Sequence, residues 1–273
     1  MLEAPYPTLD ELMIQIGEVG QRLSDLDASE GAAGNISVYI GWPIESRDQF
    51  PLVDEVEMAL PIPELAGKSF LVTGSGTRLR DIMQAPTANL GLLFVNDGGK
   101  TGLLYTAHQR LFTNITSEFN SHVGAHYDQI LRSGTNFHAL IHAQPPYTTY
   151  LSHIARYRDV LYLSRHVLRW QPEMIMQFPE GIGIIPFVMP GSSQLMADSV
   201  SALRQHRIVV WSKHGVMARS DVSVKCACDR IEYLEAGSRY EVMDIGAGGI
   251  GEGLTDEEIR EICGRFSFQQ NIF

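Results

Sequence analysis

The sequence is organised around TSEFNSHVGAHYDQILRSGTNFHALIHAQ, the stretch from residue 116 to residue 144. Its apolar run at 139–143 is too short for a helix and is followed by two prolines, which favours a buried strand. The first part predicts an amphipathic helix, because its apolar face repeats at helical spacing. That face consists of Phe119, Val123, His126 and Ile130.

The end of the predicted strand places His142 and Gln144 two residues apart. Residues at this spacing share one face of a strand and lie about 7 Å apart, so both side chains point the same way. Two histidines so placed would grip a metal ion, but here the second residue is glutamine. His122 and His126 lie four apart on the helix and could also hold a metal. However, His126 completes the apolar face, which favours a structural role.

Two turns of small residues lie beside predicted strands nearer the N-terminus. Residues 31–35, GAAGN, follow a predicted helix over 9–26 and open onto a strand at 36–40. Such a backbone can approach a ligand closely, although a plain helix-to-strand turn is the other interpretation. Residues 73–77, TGSGT, follow a strand at 69–72 and offer hydroxyls and amides together, as an anion-binding nest does.

The chain is predicted to form one domain over 1–273, in which prolines leave 41–67 as an irregular insertion. Further strands are predicted at 89–96, 101–106, 181–188 and 208–211, and further helices at 147–154, 160–168, from 192, at 221–243 and after 255. A glycine-rich link over 244–254 leads to the last helix. It contains G-x-G-x-x-G, but it follows a helix and lacks a βαβ unit, so we do not interpret it as a nucleotide site.

Composition limits the classes of partner and compartment. The net charge of −11 argues against a nucleic-acid partner, and no apolar run reaches the length of a membrane span. We therefore expect neither nucleic acid nor membrane as a partner. The three cysteines, interpreted as reduced core residues, and an N-terminus without signal-peptide features predict a cytoplasmic protein. Backbone N–H groups could still bind a small phosphorylated molecule.

Glu118 and two histidines are the candidate chemical groups. Glu118 begins the predicted helix, where free amides can bind an anion, and it is a candidate acid/base. The alternative is a helix-start charge favoured by the helix dipole, with Thr116 or Ser117 as the cap. His142 and His214 each follow an apolar strand, at strand ends where sites collect in α/β proteins. Their spacing alone is a weak indication of a metal site.

Seven blocks of sequence occur in order over nearly the whole chain. They are GNIS at 34–37, LVTGSG at 71–76, ANLG at 88–91, TSE at 116–118 with His122 and His126, FPEGIGIIP at 178–186, PG at 190–191 and HGV at 214–216. Together they resemble the class II aldolase/adducin family. The resemblance implies an α/β fold with three layers, α/β/α, around a central, mostly antiparallel sheet. It also implies a homotetramer with active sites near subunit interfaces.

The family's chemistry is metal-assisted cleavage of a ketose 1-phosphate to dihydroxyacetone phosphate and an aldehyde, usually with zinc. By resemblance, His142, His214 and the position of Gln144 would provide the metal ligands. Glu118 would be the acid/base, and Glu173 a second active-site carboxylate. The resemblance also implies a group of residues that would hold the phosphate of the substrate: Asn35, Ser75, Gly76 and Ser117.

Two positions depart from the family pattern. Gln144 stands where related aldolases have histidine. An amide oxygen is a weaker zinc ligand, so affinity should fall or preference should shift toward Mn²⁺, Co²⁺ or Mg²⁺. Ala32 replaces an asparagine that helps bind substrate in related enzymes. These departures leave two alternatives to a metal-dependent aldolase: a non-catalytic, adducin-like binding or assembly protein, and an epimerase or dehydratase of the same family.

Overall fold

The computed structural model describes residues 1–46 and 48–273. In these residues nine strands join into one sheet, in the order β2-β5-β4-β3-β1-β6-β9-β8-β7. All neighbouring strands are antiparallel except β7 and β8, which are parallel. The strands are β1 (Asn35–Ile40), β2 (Leu52–Glu57), β3 (Ser69–Thr73), β4 (Leu90–Val95), β5 (Thr101–Thr106), β6 (Phe137–Ala143), β7 (Gly183–Ile185), β8 (Ile208–Trp211) and β9 (Gly215–Ser220).

Helices cover both faces of this sheet. They are α1 (Leu9–Asp25), α2 (Pro86–Asn89), α3 (Phe119–Ser133), α4 (Pro146–His153), α5 (Val160–Leu168), α6 (Pro172–Gln177), α7 (Ser193–Leu203), α8 (Val224–Ala247) and α9 (Asp256–Phe266). On one face α3 and α7 pack together, α3 against β6 and α7 against β7 and β8. On the other, α1, α4, α5 and α6 pack around α8, which contacts β6 and β9. The three-layer, mostly antiparallel fold confirms the prediction.

The first helix shows how local sequence sets an element. Thr8 accepts a hydrogen bond from the backbone N–H of Glu11, and the Glu11 carboxylate accepts one from the N–H of Thr8. This capping box satisfies two donors that would otherwise be free at the helix start. Leu12, Ile16 and Leu23 are then completely buried against the sheet and α8. In the described residues, no helix combines the length and the apolar character needed to cross a bilayer.

Two strands were not predicted, and a third is much shorter than predicted. Residues 52–57 form β2, so the predicted irregular segment 41–67 is wrong there. This edge strand pairs with β5 alone among the described strands, and its acidic, exposed side chains give no apolar signal. The strand predicted at 181–188 contracts to the three residues of β7, since Pro186 cannot donate a ladder hydrogen bond. Strand β9 was not predicted, and it lies between the sheet centre and β8.

The register of β1 sets up a polar surface beneath α3. Ile36, Val38 and Ile40 face the core formed with α1 and α8. Residues of the opposite parity in β1 therefore face α3, because side chains alternate along a strand. Asn35 lies opposite His142 in β6, at the end of this surface. This pairing fixes the floor of a cleft that opens at the edge of the α3 layer.

Candidate active site

A small polar cleft of about 170 Å³ lies where β1 begins and β3 and β6 end, beside the start of α3. The structure brings eight of the predicted site residues to this cleft. They are Asn35, Ser75, Gly76, Ser117, Glu118, His142, Gln144 and His214. The other lining residues are Ala32, Ala33, Gly34, Gly74 and Thr116. Ala32, the second departure from the family pattern, therefore lies on the cleft wall.

Glu118 occupies the N-cap position of α3, but its carboxylate does not cap the helix. The prediction that Thr116 or Ser117 could take this position is therefore wrong. The Glu118 side chain turns into the cleft and is 7% exposed. The side-chain amide of Asn35 donates to Oε2 over 2.9 Å, while the buried Oε1 has no hydrogen-bond partner among the described residues. A buried acceptor without a donor indicates a position where a ligand or a proton can bind.

The electrostatic surroundings keep this carboxylate ionised. Burial by itself raises the pKa of Glu118. The nearby imidazole of His142, the hydrogen bond from the Asn35 amide and the nearby imidazole of His214 act in the opposite direction and outweigh it, so the pKa of Glu118 lies below its ordinary value.

Glu118, His142 and His214 together form a cluster that could hold a metal ion, with one ligand atom of each within 4.8 Å of the others. Nε2 of His142 is 3.5 Å from Oε2 of Glu118, and Nε2 of His214 is 3.4 Å from Oε1. Nδ1 of His142 donates to the carbonyl of Val216 over 2.9 Å. The Nε2 lone pair of His142 therefore faces the cluster, which is the orientation a metal-binding imidazole needs.

His214 is held by the tight turn between β8 and β9. Its N–H donates to the carbonyl of Trp211, and Lys213, in the left-handed region at φ +64°, donates its N–H to Ser152 Oγ. Burial, followed by the charge of His142, lowers the pKa of His214 to about 4, with Glu118 opposing. The imidazole is neutral at pH 7 and can act as a ligand. The donor set of two imidazoles and a carboxylate thus suits a divalent transition metal.

The close approach of β9 to β6 explains why a glycine, Gly215, follows His214. A Cβ at this position would lie 2.3 Å from the carbonyl oxygen of Ala143 and 3.0 Å from Cε1 of His142. It would also lie 3.1 Å from Cγ of Gln144, so β9 can reach β6 only with glycine here. The same close approach places Gln144 beside the cluster. Its backbone N–H donates to Ala28, and its partly buried side chain lines the cleft.

The opposite wall of the cleft carries hydroxyls and backbone amides. Ser75 and Ser117 are exposed there, and Gly76 adopts φ +76°, in the region that favours glycine. Among the described residues that line the cleft, none is lysine or arginine. A phosphate group bound here would be held by neutral donors, as in a backbone anion nest.

Three predicted candidates do not join the cluster. Glu173 lies exposed in the first turn of α6, away from the residues that line the cleft. His122 and His126 both contact Ser37, at 2.6 and 2.7 Å, rather than a common metal position. Sequence reasoning gave no role to Ser37 and did not find this contact, because it joins α3 to β1 through tertiary packing.

The fold and the site define a three-layer α/β/α protein with a largely buried Glu–His–His cluster that could hold a metal ion. The model of the Class II Aldolase and Adducin N-terminal domain matches residues 14–242. The chain therefore belongs to the class II aldolase/adducin family, as the sequence resemblance indicated.

Three known proteins show how far this similarity extends. Rhamnulose-1-phosphate aldolase from Yersinia pseudotuberculosis serotype O:1b is 29% identical over 242 residues, covering 87% of this chain and 86% of the relative. A sugar-phosphate aldolase from Thermotoga maritima matches with a TM-score of 0.74 at 26% identity, covering 88% of this chain and 97% of its own. L-fuculose-1-phosphate aldolase from Thermus thermophilus shares the fold, with a TM-score of 0.55 at 20% identity over 89% of this chain and 98% of its own.

Proposed function

We propose that this protein is a metal-dependent aldolase that cleaves a ketose 1-phosphate similar to rhamnulose 1-phosphate. The products would be dihydroxyacetone phosphate and an aldehyde. The observation that carries the proposal is the buried cluster of Glu118, His142 and His214, in which the lone pair of His142 faces an ionised carboxylate. The names of the Yersinia and Thermotoga relatives support a sugar phosphate as the substrate class.

His142, His214 and Gln144 would hold the metal, with zinc expected first and Mn²⁺, Co²⁺ or Mg²⁺ as the other candidates. When bound, the ion would supply Lewis-acid polarisation of the substrate carbonyl. Ser75, Gly76, Ser117 and Asn35 would bind the phosphate through neutral donors. The buried side of the cleft would exclude water from the reacting carbons.

Two protons must move when the carbon–carbon bond breaks. One leaves the hydroxyl whose carbon becomes the aldehyde, and the bonding electron pair remains on the carbon of the phosphate-bearing fragment. The second proton reaches that carbon, and Glu118, whose carboxyl group lies inside the cleft, would deliver it. Because Glu118 is ionised at rest, it would first take up this proton from solvent. Glu173 would accept the first proton. Because Glu173 is exposed and outside the cleft of its own chain, it would have to act on the cleft of a neighbouring subunit.

This assignment fits the expected homotetramer with sites near subunit interfaces. A cytoplasmic location is also proposed, and the free thiols of Cys226, Cys228 and Cys263 support it. Small sugar phosphates would be the only class of partner besides other copies of the chain.

The test is a coupled assay for dihydroxyacetone phosphate. Metal-stripped protein would be supplied separately with Zn²⁺, Mn²⁺, Co²⁺ and Mg²⁺ and offered a panel of ketose 1-phosphates that differ in stereochemistry. We expect rhamnulose 1-phosphate to be cleaved with at least one metal. Product from none of the combinations would reject the proposal.

A second candidate is a non-catalytic, adducin-like binding or assembly protein. Gln144 and Ala32 favour it, since both departures from the family pattern line the cleft. Elemental analysis of unchelated protein separates the two candidates. About one transition-metal ion per chain supports the aldolase, whereas no bound metal, and none after adding Zn²⁺ or Mn²⁺, supports the binding protein. Metal uptake with turnover to an isomer or a dehydrated product would instead indicate an epimerase or dehydratase.

A further inference from the structure

A continuous chain of buried polar side chains runs from Glu118 away from the cleft, between α3 and the sheet. Asn35 donates to Glu118 over 2.9 Å, and Oδ1 of Asn35 lies 2.5 Å from Nε2 of His122. Ser37 Oγ bridges Nδ1 of His122 at 2.6 Å and Nε2 of His126 at 2.7 Å. The chain ends where Nδ1 of His126 meets Nδ1 of His138 at 2.8 Å.

The proton positions along this chain follow from its first bond. A carboxylate can only accept, so Asn35 presents its NH₂ group to Glu118 and its oxygen to His122. His122 must then carry its proton on Nε2 and accept from Ser37 at Nδ1. Ser37 in turn accepts from Nε2–H of His126, which leaves Nδ1 of His126 to accept from Nδ1–H of His138. Every proton points toward Glu118.

The surroundings keep these imidazoles neutral. Ser37, His122, His126 and His138 are all 0% exposed. Burial lowers the pKa of His122 to about 3 and holds the pKa values of His126 and His138 well below their ordinary value. Within the described part of the protein, Nε2 of His138 has no hydrogen-bond partner, and it lies 3.8 Å from the carboxylate of Asp221 at the far end.

Such a chain has only one arrangement that satisfies all its inner members. If Asn35 rotated its amide, its oxygen would face the Glu118 carboxylate and its NH₂ group would face Nε2–H of His122, so both contacts would be lost. A rotation is therefore resisted by the imidazole behind it. Buried networks that are fully satisfied in one way hold their members more rigidly than isolated hydrogen bonds do.

We propose that His122 is a positioning residue that locks the side-chain amide of Asn35, and thereby holds Glu118 with Oε2 engaged and Oε1 open to the substrate. Ser37, His126 and His138 fix the tautomer and orientation of His122. This inference rests on the proposed aldolase function, because it gives these hydrogen-bonded side chains the role of positioning the acid/base.

The first test does not depend on turnover. Long-range ¹H–¹⁵N spectra of the full chain with ¹⁵N-labelled histidine report which ring nitrogen carries the proton. We expect Nε2–H at His122 and His126 and Nδ1–H at His138, with the signals assigned by single substitutions. A proton on Nδ1 of His122 would overturn the proposal, even if the protein proved not to be an aldolase.

The second test compares His122→Gln with His122→Leu. The glutamine amide can donate to Asn35 from about the position of Nε2, whereas leucine cannot. We expect kcat to fall about 10- to 100-fold for leucine, the range typical of groups that orient a ligand, and by less than about 3-fold for glutamine, with KM little changed in both. Equal kcat values for the two variants would show that the donor to Asn35 has no role in catalysis.

A matched pair of serine variants separates positioning from folding. Ser37→Ala removes the hydroxyl that joins His122 to His126 in the buried hydrogen-bond network. Ser164→Ala removes an equally buried hydroxyl of α5 that accepts from the N–H of Ile182. Both should lower the Tm, but only Ser37→Ala should lower kcat, by about 10-fold. Equal kcat values in the two variants would mean that the hydrogen-bond network beneath α3 has only a structural role. A wild-type protein without activity on any substrate would reject the proposed function and leave the spectra to decide the proton arrangement.

Discussion

At the scale of single residues, we expect Gln144 to determine how tightly the cleft binds a metal ion. Its side chain lines the cleft together with His142 and His214, and we propose it as the third ligand. Replacing the amide oxygen by imidazole in Gln144→His should tighten zinc binding about 10- to 100-fold, since imidazole is the better zinc ligand. Competition with a chromophoric chelator would measure it.

The control for this substitution is Gln194→His, which adds a histidine at an exposed position of α7. It should leave the zinc affinity of the cleft unchanged. If Gln144→His also leaves it unchanged, residue 144 does not contact the metal and the assignment of the ligands is wrong.

Glu118 has two possible roles that one substitution separates. As an acid/base it moves a proton, and as a ligand it would hold the ion, since its carboxylate lies within the same 4.8 Å cluster. We expect Glu118→Gln to lower kcat by about 10²- to 10⁴-fold while zinc affinity falls much less. Steady-state kinetics and zinc titration on the same preparation would decide. Parallel losses in both would identify Glu118 as a ligand.

At the scale of elements, the turn between β8 and β9 brings two of the proposed ligands together. Gly215→Ala would place a Cβ 2.3 Å from the backbone of Ala143, so β6 and β9 would have to separate. We expect a loss of about 2–3 kcal/mol in the free energy of unfolding, together with weaker zinc binding as His142 and His214 move apart. Urea unfolding and zinc titration would measure the two effects.

Gly246→Ala is the matched control, because this glycine lies in α8 and a Cβ there meets nothing within 4 Å. Alanine is favoured over glycine in a helix, so this variant should gain about 0.5–1 kcal/mol. An equal loss of stability in both variants would mean that the close contact at Gly215 is not what fixes the turn.

Local sequence predicted elements whose signals are contained in a few consecutive residues. The capping box at Thr8 fixed the start of α1, and the β-branched run at 208–211 formed β8 with the predicted bounds. Strand β2 was missed because an exposed, acidic edge strand is defined by its partner β5 and not by its own apolar pattern. Element prediction therefore failed where pairing, rather than burial, determines the structure.

In the candidate site, too, the sequence indicated some residues and could not indicate others. The small-residue turns and the strand ends pointed to Ser75, His142 and His214, and the family resemblance assigned their roles. The histidine chain beneath α3 could not be found from sequence, because its contacts join residues 12 to 89 positions apart through Ser37. Its members look like ordinary core histidines until α3 is packed on the sheet.

At the scale of the whole molecule, the role proposed for the exposed Glu173 would make catalysis depend on assembly. If each cleft uses Glu173 of a neighbouring subunit, Glu118→Gln and Glu173→Gln should each be inactive, yet their hybrids should be active. Random mixing would pair an intact Glu118 with an intact Glu173 in about a quarter of sites. Co-expression with two different tags, followed by tandem purification and assay, would test this.

As a control, each variant alone would be co-expressed in two copies with the two different tags and purified in the same way. These controls should remain inactive. An active Glu173→Gln control would place Glu173 outside the reaction. Inactive controls together with inactive hybrids would show that each cleft uses the Glu173 of its own chain.

The three buried histidines of the chain beneath α3 should also make the whole fold sensitive to acid. Burial lowers the pKa of each, to about 3 for His122, whereas an unfolded histidine titrates near about 6.5. Below about pH 6.5 the unfolded state therefore binds protons that the folded state cannot bind. Their contribution is complete above that pH and is lost as the pH falls, by about 1.4 kcal/mol per pH unit for each histidine.

Urea unfolding at pH values from about 7 down to about 4.5 would measure this slope. Acidic groups with lowered pKa values contribute with the same sign, so the comparison that isolates a histidine is the slope of wild type against His122→Gln. The variant lacks one of the three titrating rings, and its free energy of unfolding should fall less steeply by about 1.4 kcal/mol per pH unit. Identical slopes would mean that His122 takes up its proton in the folded protein over this range, and that the chain beneath α3 does not hold it neutral.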